Sequence, residues 1–333
     1  MLNDPAGLRR ASARRVIPDR ARYMTIEERK GVVSMAKVAV IIPTHNRADR
    51  LGRAIKSVLN QTFGDFELMV VDDGSKDNPE EVVWSFADRR IRFIRHETAR
   101  GAAAARNAGI RTTGGAYVAF LDDDDEWYPD KLAEQVAVME KGLEPLAVVY
   151  GAYDIVNSEG DIVRTRTPSH AGDLHPLLLR SNPIGGTSMV LIRRESLESV
   201  GLFDERLQSL EDYDLYLRLS ERFTFDFVSK PVCKYMRHPA QLRSNRIAEY
   251  HGLEILNEKH GSDKRFRRAI AKQYLRFGRS FYVSGSAAQG RKAIYKGLRL
   301  NPYQGKAYAY ILLSLFGADG FEWISRRNVN WFR

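Results

Sequence analysis

From residue 37 onward the chain alternates short β-branched runs with stretches of helical period, and no other feature restricts its fold as strongly. Apolar runs joined by helix-length segments are the pattern of a largely parallel sheet whose crossovers are helices. VAVII (38–42) breaks at Pro43, after which Leu51, Ile55, Val58 and Leu59 recur at helical spacing. ELMVV (67–71) ends in the turn signal Asp72-Asp73-Gly74-Ser75, a helix follows near 80–87, and IRFIR (91–95) reads as a third strand. An alanine-rich helix near 101–111 leads into AYVAFL (116–121), which stops at four consecutive aspartates.

Beyond Asp130 the pattern predicts a helix to about Gly142, a strand at LAVVYGAYDIV and a hairpin turn at Asn157-Ser158-Glu159-Gly160, so the sheet becomes mixed. TSMVLIR (187–193) reads as another strand, a helix opens near Glu211, and FTFDFVSKPVCKYMRH reads as closing strands ending near Arg237. The expected fold class is α/β, a Rossmann-like, mostly parallel but mixed sheet flanked by helices, with a C-terminal helical extension.

Charge divides the chain in the same places. Its net charge is +10, yet residues 37–240 carry 26 Lys/Arg against 32 Asp/Glu, whereas residues 1–36 have net +4 and residues 241–333 net +12. Three segments are expected: a flexible basic arm (1–36, with Met24 and Met35 as alternative first residues), an acidic α/β domain (37–240) and a basic helical extension (241–333). Within the extension, YLRFG…FYVSG…AIYKGLRLNPYQGKAY is similar to a tetratricopeptide helix pair, which cannot bury its own face and must lean on something. The longest apolar run, residues 307–318, is too short for a membrane span of about 20 residues. The single Cys233 excludes an intrachain disulfide and reads as a buried strand residue.

In an open parallel sheet the ligand lies outside the carboxyl ends of the strands, where strand order reverses. Three such ends carry polar clusters: Pro43-Thr44-His45-Asn46, Asp72-Asp73-Gly74-Ser75 and the run from Asp122 to Asp125. Gathered carboxylates repel unless a cation or donor compensates, which points to a divalent metal, Mg²⁺ or Mn²⁺. A nicotinamide dehydrogenase would need a glycine-rich turn after the first strand, and Pro43 to Arg47 contains no glycine; the Walker phosphate loop is missing too. A diphosphate would therefore rely on the metal.

VAVIIPTHNRADRLGRAIKSVLNQTFGDFELMVVDDGSKD followed by GAAAARNAGIRTTGGAYVAFLDDDDEWYPDKL resembles the nucleotide-binding half of glycosyltransferase family 2, with its glycosyltransferase A fold, over about residues 37–237. The resemblance implies that Pro43 and His45 line the nucleoside, that Asp73 accepts from the uracil imide, and that Arg106 and Asn107 border the nucleotide. It implies that Asp124 touches a cation bridging the donor's phosphates and that Asp122 or Asp123 reaches the ribose, while Asp125 and Glu126 orient the loop. It also makes Asp212 the general base, with Asp214 the alternative, although carboxylates at a helix start are also favoured by capping and the dipole.

The activity so implied is transfer of a sugar from a nucleotide-sugar donor, foremost a UDP-sugar, to a saccharide or lipid-linked acceptor in cell-surface polysaccharide or glycoconjugate synthesis. Inversion follows from a single displacement. The Gln/Arg-x-x-Arg-Trp pattern and membrane spans of processive members are missing, so single transfer is expected. The expected location is cytoplasmic, with the basic tail in peripheral contact with anionic lipid on the inner face of the cell membrane. Two rival readings are a sugar nucleotidyltransferase, which would want a glycine-rich, lysine-bearing first loop, and a non-catalytic protein that recruits partners through its tail. Nucleic-acid binding is not expected, since no recognised motif accompanies the charge.

Overall fold

The computed structural model describes residues 36–143, 145–237 and 246–314. The basic arm expected at 1–36 lies, apart from Ala36, outside the described residues, as do 238–245 and the last nineteen positions.

The core strands are β1 (Val38–Thr44), β2 (Phe66–Asp72), β3 (Ile91–Arg95) and β4 (Tyr117–Phe120), all mutually parallel. Helices α1 (Ala48–Leu59), α2 (Pro79–Ser85) and α3 (Ala102–Thr112) connect them. Every residue of β1 and β2 is buried, because helices cover both sheet faces, and this is why those strands read as continuous apolar runs rather than alternating ones. Helix α1 faces the sheet with Leu51, Ala54, Ile55 and Val58. Helix α3 approaches β1 so closely that a Cβ on Gly109 would lie 2.6 Å from Ile41 Cγ2, which requires glycine there.

The second half adds β5 (Glu126–Trp127), α4 (Lys131–Lys141), β6 (Leu146–Val156), β7 (Ile162–Arg166), α5 (His175–Leu178), β8 (Val190–Arg193), α6 (Arg194–Val200), α7 (Glu211–Ser220) and β9 (Thr224–Met236). The nine-stranded sheet has the order β3-β2-β1-β4-β8-β6-β9-β5, with β7 paired to β6 as the predicted hairpin. Strand β8 is antiparallel to both neighbours, so the sheet is mixed as expected. Two details differ from the sequence reading. Thr187–Met189 forms a 3₁₀ turn instead of opening the strand, since the Ser188 hydroxyl donates to Asp125 while its carbonyl accepts from Trp127 Nε1. The closing strands are one continuous strand, β9, which bends through register shifts against β6 around Pro231.

The C-terminal extension is helical: α8 (Arg246–His260), α9 (Lys264–Val283), α10 (Ala287–Leu300) and α11 (Gly305–Ser314). It leans on the α/β half. Tyr250, Leu253, Leu256, Phe266 and Tyr274 belong to the same hydrophobic cluster as Tyr213, Tyr216 and Leu217 of α7. A Cβ on Gly252 would stand 2.8 Å from the Ser209 carbonyl oxygen, so α8 packs directly on the segment that leads into α7. Among the described residues no helix is long and apolar enough to cross a membrane.

Candidate active site

Strand order reverses between β1 and β4, so the loops that follow these two strands flank one crevice. Across it Thr44 Oγ1 donates to Asp123 Oδ2 at 2.8 Å, while Arg47 Nη1 bridges Asp123 Oδ1 (2.9 Å) and Asp124 Oδ2 (3.0 Å). A cavity of about 490 Å³ opens here, bounded by Pro43, His45, Asp73, Arg106 and the three aspartates 122–124. The fold thus brings together Pro43, His45, Asp73, Arg106 and Asp122 to Asp124, which the sequence reading assigned to the nucleotide and metal, whereas Asn107, expected to border the nucleotide, does not line this cavity and instead holds the 203–205 loop. Arg47, Gln208, Tyr235 and Arg237 also line this cavity and were not anticipated. Arg47 had a signal: an acidic cluster needs a compensating cation, and this one stands directly after the first polar loop.

Each site residue is held by a local cause. His45 Nδ1 donates to the Asp73 carbonyl oxygen at 2.7 Å and Nε2 accepts from Asn46 Nδ2 at 2.8 Å, which selects the Nδ1–H tautomer. The Asp73 carboxylate accepts from His96 Nδ1 and from the backbone N–H groups of Arg100 and Gly101. The Arg100 N–H is shared between both oxygens, at 2.9 and 3.0 Å, so three donors make four contacts and hold the carboxylate in one orientation at the cavity wall. Arg106 is buried and donates to Asp122 Oδ1 at 2.6 Å and to Glu211 Oε1 at 2.7 Å, tying the aspartate loop to the head of α7. Burial opposes its charge, but the two carboxylates outweigh burial and hold it well above its ordinary value. Asn107 staples the 203–205 loop through the Phe203 backbone and Glu205.

The four aspartates divide by environment. Asp125 is buried, accepts from Ser188 Oγ at 2.7 Å and from Met236 N at 3.0 Å, and fixes the loop; Glu126 pairs with Arg53. Burial pushes Asp123 up to about 6, even though Arg47 and Thr44 favour its charged form. Asp122 is the most open of the first three, its side chain 32% exposed against 4% for Asp123 and 3% for Asp124. Among the described residues no set of three or more acidic, His or Cys side chains converges into a closed metal cage. The donor set instead suits a hard cation held by one or two carboxylates and completed by substrate phosphates, a common arrangement for Mg²⁺. Arg47, a side chain 41% exposed, already places a positive charge between Asp123 and Asp124.

A second cavity, about 650 Å³, adjoins the first, and Arg106, Asp122, Glu211 and Tyr235 line both. Asp212 lies in this second cavity, at the head of α7. Leu210, which precedes the helix, adopts a left-handed φ of 67°, a strained conformation for leucine. The Asp212 carboxylate accepts from Tyr213 N at 2.6 Å. Burial and then the neighbouring charge of Glu211 push it up to about 7.

Asp214, the alternative base, is in another setting. It is fully buried and accepts from Arg218 Nε (2.9 Å), Lys259 Nζ (2.8 Å) and His260 Nε2 (3.0 Å), facing α8 and lining neither of these two cavities. Burial works against its charge, yet His260, Arg218 and Lys259 hold its carboxyl below the ordinary range. Asp214→Asn is expected to cost about 3–5 kcal/mol, because Arg218 loses its buried counter-ion and Lys259 is left with Asp204 alone. Urea melts check this; a variant that melts like the wild type would contradict it.

The solved structure of Staphylococcus aureus TarS 1-349 in complex with UDP is similar over 89% of this chain and 92% of that one, at 18% identity and a TM-score of 0.62. The mannosyltransferase PcManGT of Pyrobaculum calidifontis, solved with GDP-Man and Mn²⁺, covers 87% and 86% at 18% identity and a TM-score of 0.56. The fold is therefore of the glycosyltransferase A type, a mixed curled sheet with flanking helices and added C-terminal helices. In sequence, the family described as Glycosyl transferase family 2 matches residues 39–201. Escherichia coli WfgD, described as a UDP-Glc:alpha-D-GlcNAc-diphosphoundecaprenol beta-1,3-glucosyltransferase, is 32% identical over 214 residues, 64% of this chain and 81% of that protein. An uncharacterized glycosyltransferase of Rickettsia felis is 33% identical over 211 residues, 61% of this chain; the match spans only 35% of that longer protein. The chain belongs to glycosyltransferase family 2.

Proposed function

We propose that this chain transfers a sugar from a UDP-sugar to a saccharide or lipid-linked acceptor, with inversion and one residue at a time, in the synthesis of a surface polysaccharide or glycoconjugate. The observation that carries the reading is the pair of adjoining cavities with a shared wall of Arg106, Asp122, Glu211 and Tyr235: acidic and basic groups suited to a nucleotide diphosphate lie on one side and Asp212 on the other. TarS bound to UDP and to UDP-GlcNAc, together with the donor in WfgD's description, supports uridine as the base. The division into a catalytic domain at 37–240 and an extension at 241–333, with net charge +12 on the latter, supports peripheral contact with an anionic membrane face.

In this reading Pro43 and His45 line the nucleoside, and the Asp73 carboxylate is the acceptor for the uracil imide N–H. Asp122, more exposed than Asp123, is the better acceptor for a ribose hydroxyl, because both Asp123 oxygens already take Thr44 and Arg47. Asp124 would hold a Mg²⁺ or Mn²⁺ ion jointly with the donor's phosphates. When bound, such an ion stabilises negative charge on the departing diphosphate. Arg106, locked between Asp122 and Glu211, keeps the two sides in register. Asp212 removes the proton from the acceptor hydroxyl as that oxygen attacks the anomeric carbon from the face opposite the nucleotide.

Only the carboxylate form of Asp212 can take a proton. With its carboxyl pushed up to about 7, the base is disabled below that pH and available above it, so turnover should rise through pH 7 and level off beyond. A UDP-release screen over UDP-sugars with Mg²⁺ or Mn²⁺, run from pH 5.5 to 9, tests the function and this dependence together. Release of UDP supports transfer; formation or consumption of pyrophosphate would support a nucleotidyltransferase, and a flat profile across pH 7 would count against Asp212.

A further inference from the structure

The cavity that holds Asp212 is closed on its outer side by the C-terminal extension, through Arg246 and Glu249 of α8 and Arg276 of α9. It does not end there. Arg246 and Arg276 also line a neighbouring groove of about 450 Å³ with Arg279, Ser280 and Ser284, and among the described residues no acidic one lines that groove. A third hollow continues past Arg276 and Arg279 beside Lys272, Leu275 and Tyr310.

Three guanidinium groups therefore face one track that begins at the candidate base. Among the described residues, none of the three lies within ion-pair distance of a carboxylate. Arg246 contacts the Ser280 hydroxyl, and Arg276 Nη1 donates to Gln273 Oε1 at 3.1 Å. On the tail side of the cavity the nearby carboxylate is Glu249, whose carboxyl burial raises while Arg276 and Arg246 pull it down. Like charges crowded along a groove repel one another, and an anion in the groove relieves that repulsion. Guanidinium groups match phosphate oxygens with paired, charge-assisted hydrogen bonds.

An acceptor must present its hydroxyl to Asp212, and the nucleotide occupies the other side of the shared wall. The remainder of the acceptor then leaves along the arginine track. We propose that Arg246, Arg276 and Arg279 form a subsite for a phosphate or diphosphate group carried by the acceptor, so that the C-terminal extension selects an anionic acceptor. The proposal rests on the glycosyl-transfer reading of the site.

The test is calorimetry on the full chain with the donor cleft saturated by UDP at fixed free Mg²⁺, using undecyl diphosphate, inorganic pyrophosphate and the uncharged undecyl glucoside as probes. UDP affinity is measured in the same samples, so failure of UDP to bind reports on the glycosyl-transfer reading and not on the subsite. Undecyl diphosphate should bind more tightly than undecyl glucoside, and Arg276→Glu with Arg279→Glu should weaken it roughly tenfold or more. UDP affinity should not change. Pyrophosphate binding as tightly as undecyl diphosphate would mean that the phosphates alone are read, and weaker binding that the alkyl chain adds contacts; both fit the subsite. The pair Arg276→Gln and Arg279→Gln guards against a folding defect of the charge reversal and should weaken binding in the same direction. Wild-type protein that binds undecyl diphosphate no better than undecyl glucoside, or folded variants that bind it undiminished, would overturn the proposal.

Discussion

Asp212→Asn is expected to slow glycosyl transfer by about 10²–10⁴-fold while leaving the affinity for UDP unchanged. The asparagine preserves the size of the side chain and its acceptor for Tyr213 N, so the head of α7 keeps its form. It cannot take a proton. The residue lines the second cavity and not the nucleotide cavity, which is why binding and chemistry should separate. The residual rate should also lose its rise through pH 7. Initial rates of UDP release, paired with calorimetry of UDP, check all three points. A loss of UDP affinity that accounts for the lost rate would place Asp212 on the donor side and refute the division of roles.

Asp124→Asn should act on the other side of the wall. Arg47 keeps its contact with Asp123, and Asp125 still anchors the loop to Ser188 and Met236, so the thermal melt should shift little. Removing the carboxylate that holds the metal in this reading should nonetheless reduce metal-dependent turnover by more than the roughly 10–100-fold that loss of an outer-shell partner causes. The rate should recover only partly at high Mn²⁺. Full activity with an unchanged metal requirement would assign the ion to other groups.

The parts legible in the sequence share a physical reason. Strands β1, β2 and β4 are buried on both faces, so each appears as an unbroken apolar run with an abrupt polar end. Those ends are where a doubly wound sheet binds its ligand, so His45, Asp73 and Asp124 could be placed in one crevice without coordinates. Glu211 and Asp212 stood out as charges at the head of a helix. What stayed hidden depends on contacts remote in sequence. The insertion of β8 between β4 and β6 follows from packing, and nothing local in VLIR announces an antiparallel partner. Thr187–Met189 carries strand-forming residues but turns because of Asp125 and Trp127, some sixty positions away. The same distance conceals the roles of Asp214 and the tail: its partners Lys259 and His260, and the arginines that line the second cavity, come from helices whose docking only the tertiary fold defines.

The central claim is that the crevice between β1 and β4 binds a uridine diphosphate through a metal held at Asp124. Calorimetric titration of UDP into the full wild-type chain, with and without Mn²⁺, measures it directly. The account predicts saturable one-to-one binding that strengthens markedly when Mn²⁺ is present. Absence of UDP binding under both conditions, or equal affinity in the two, would contradict it.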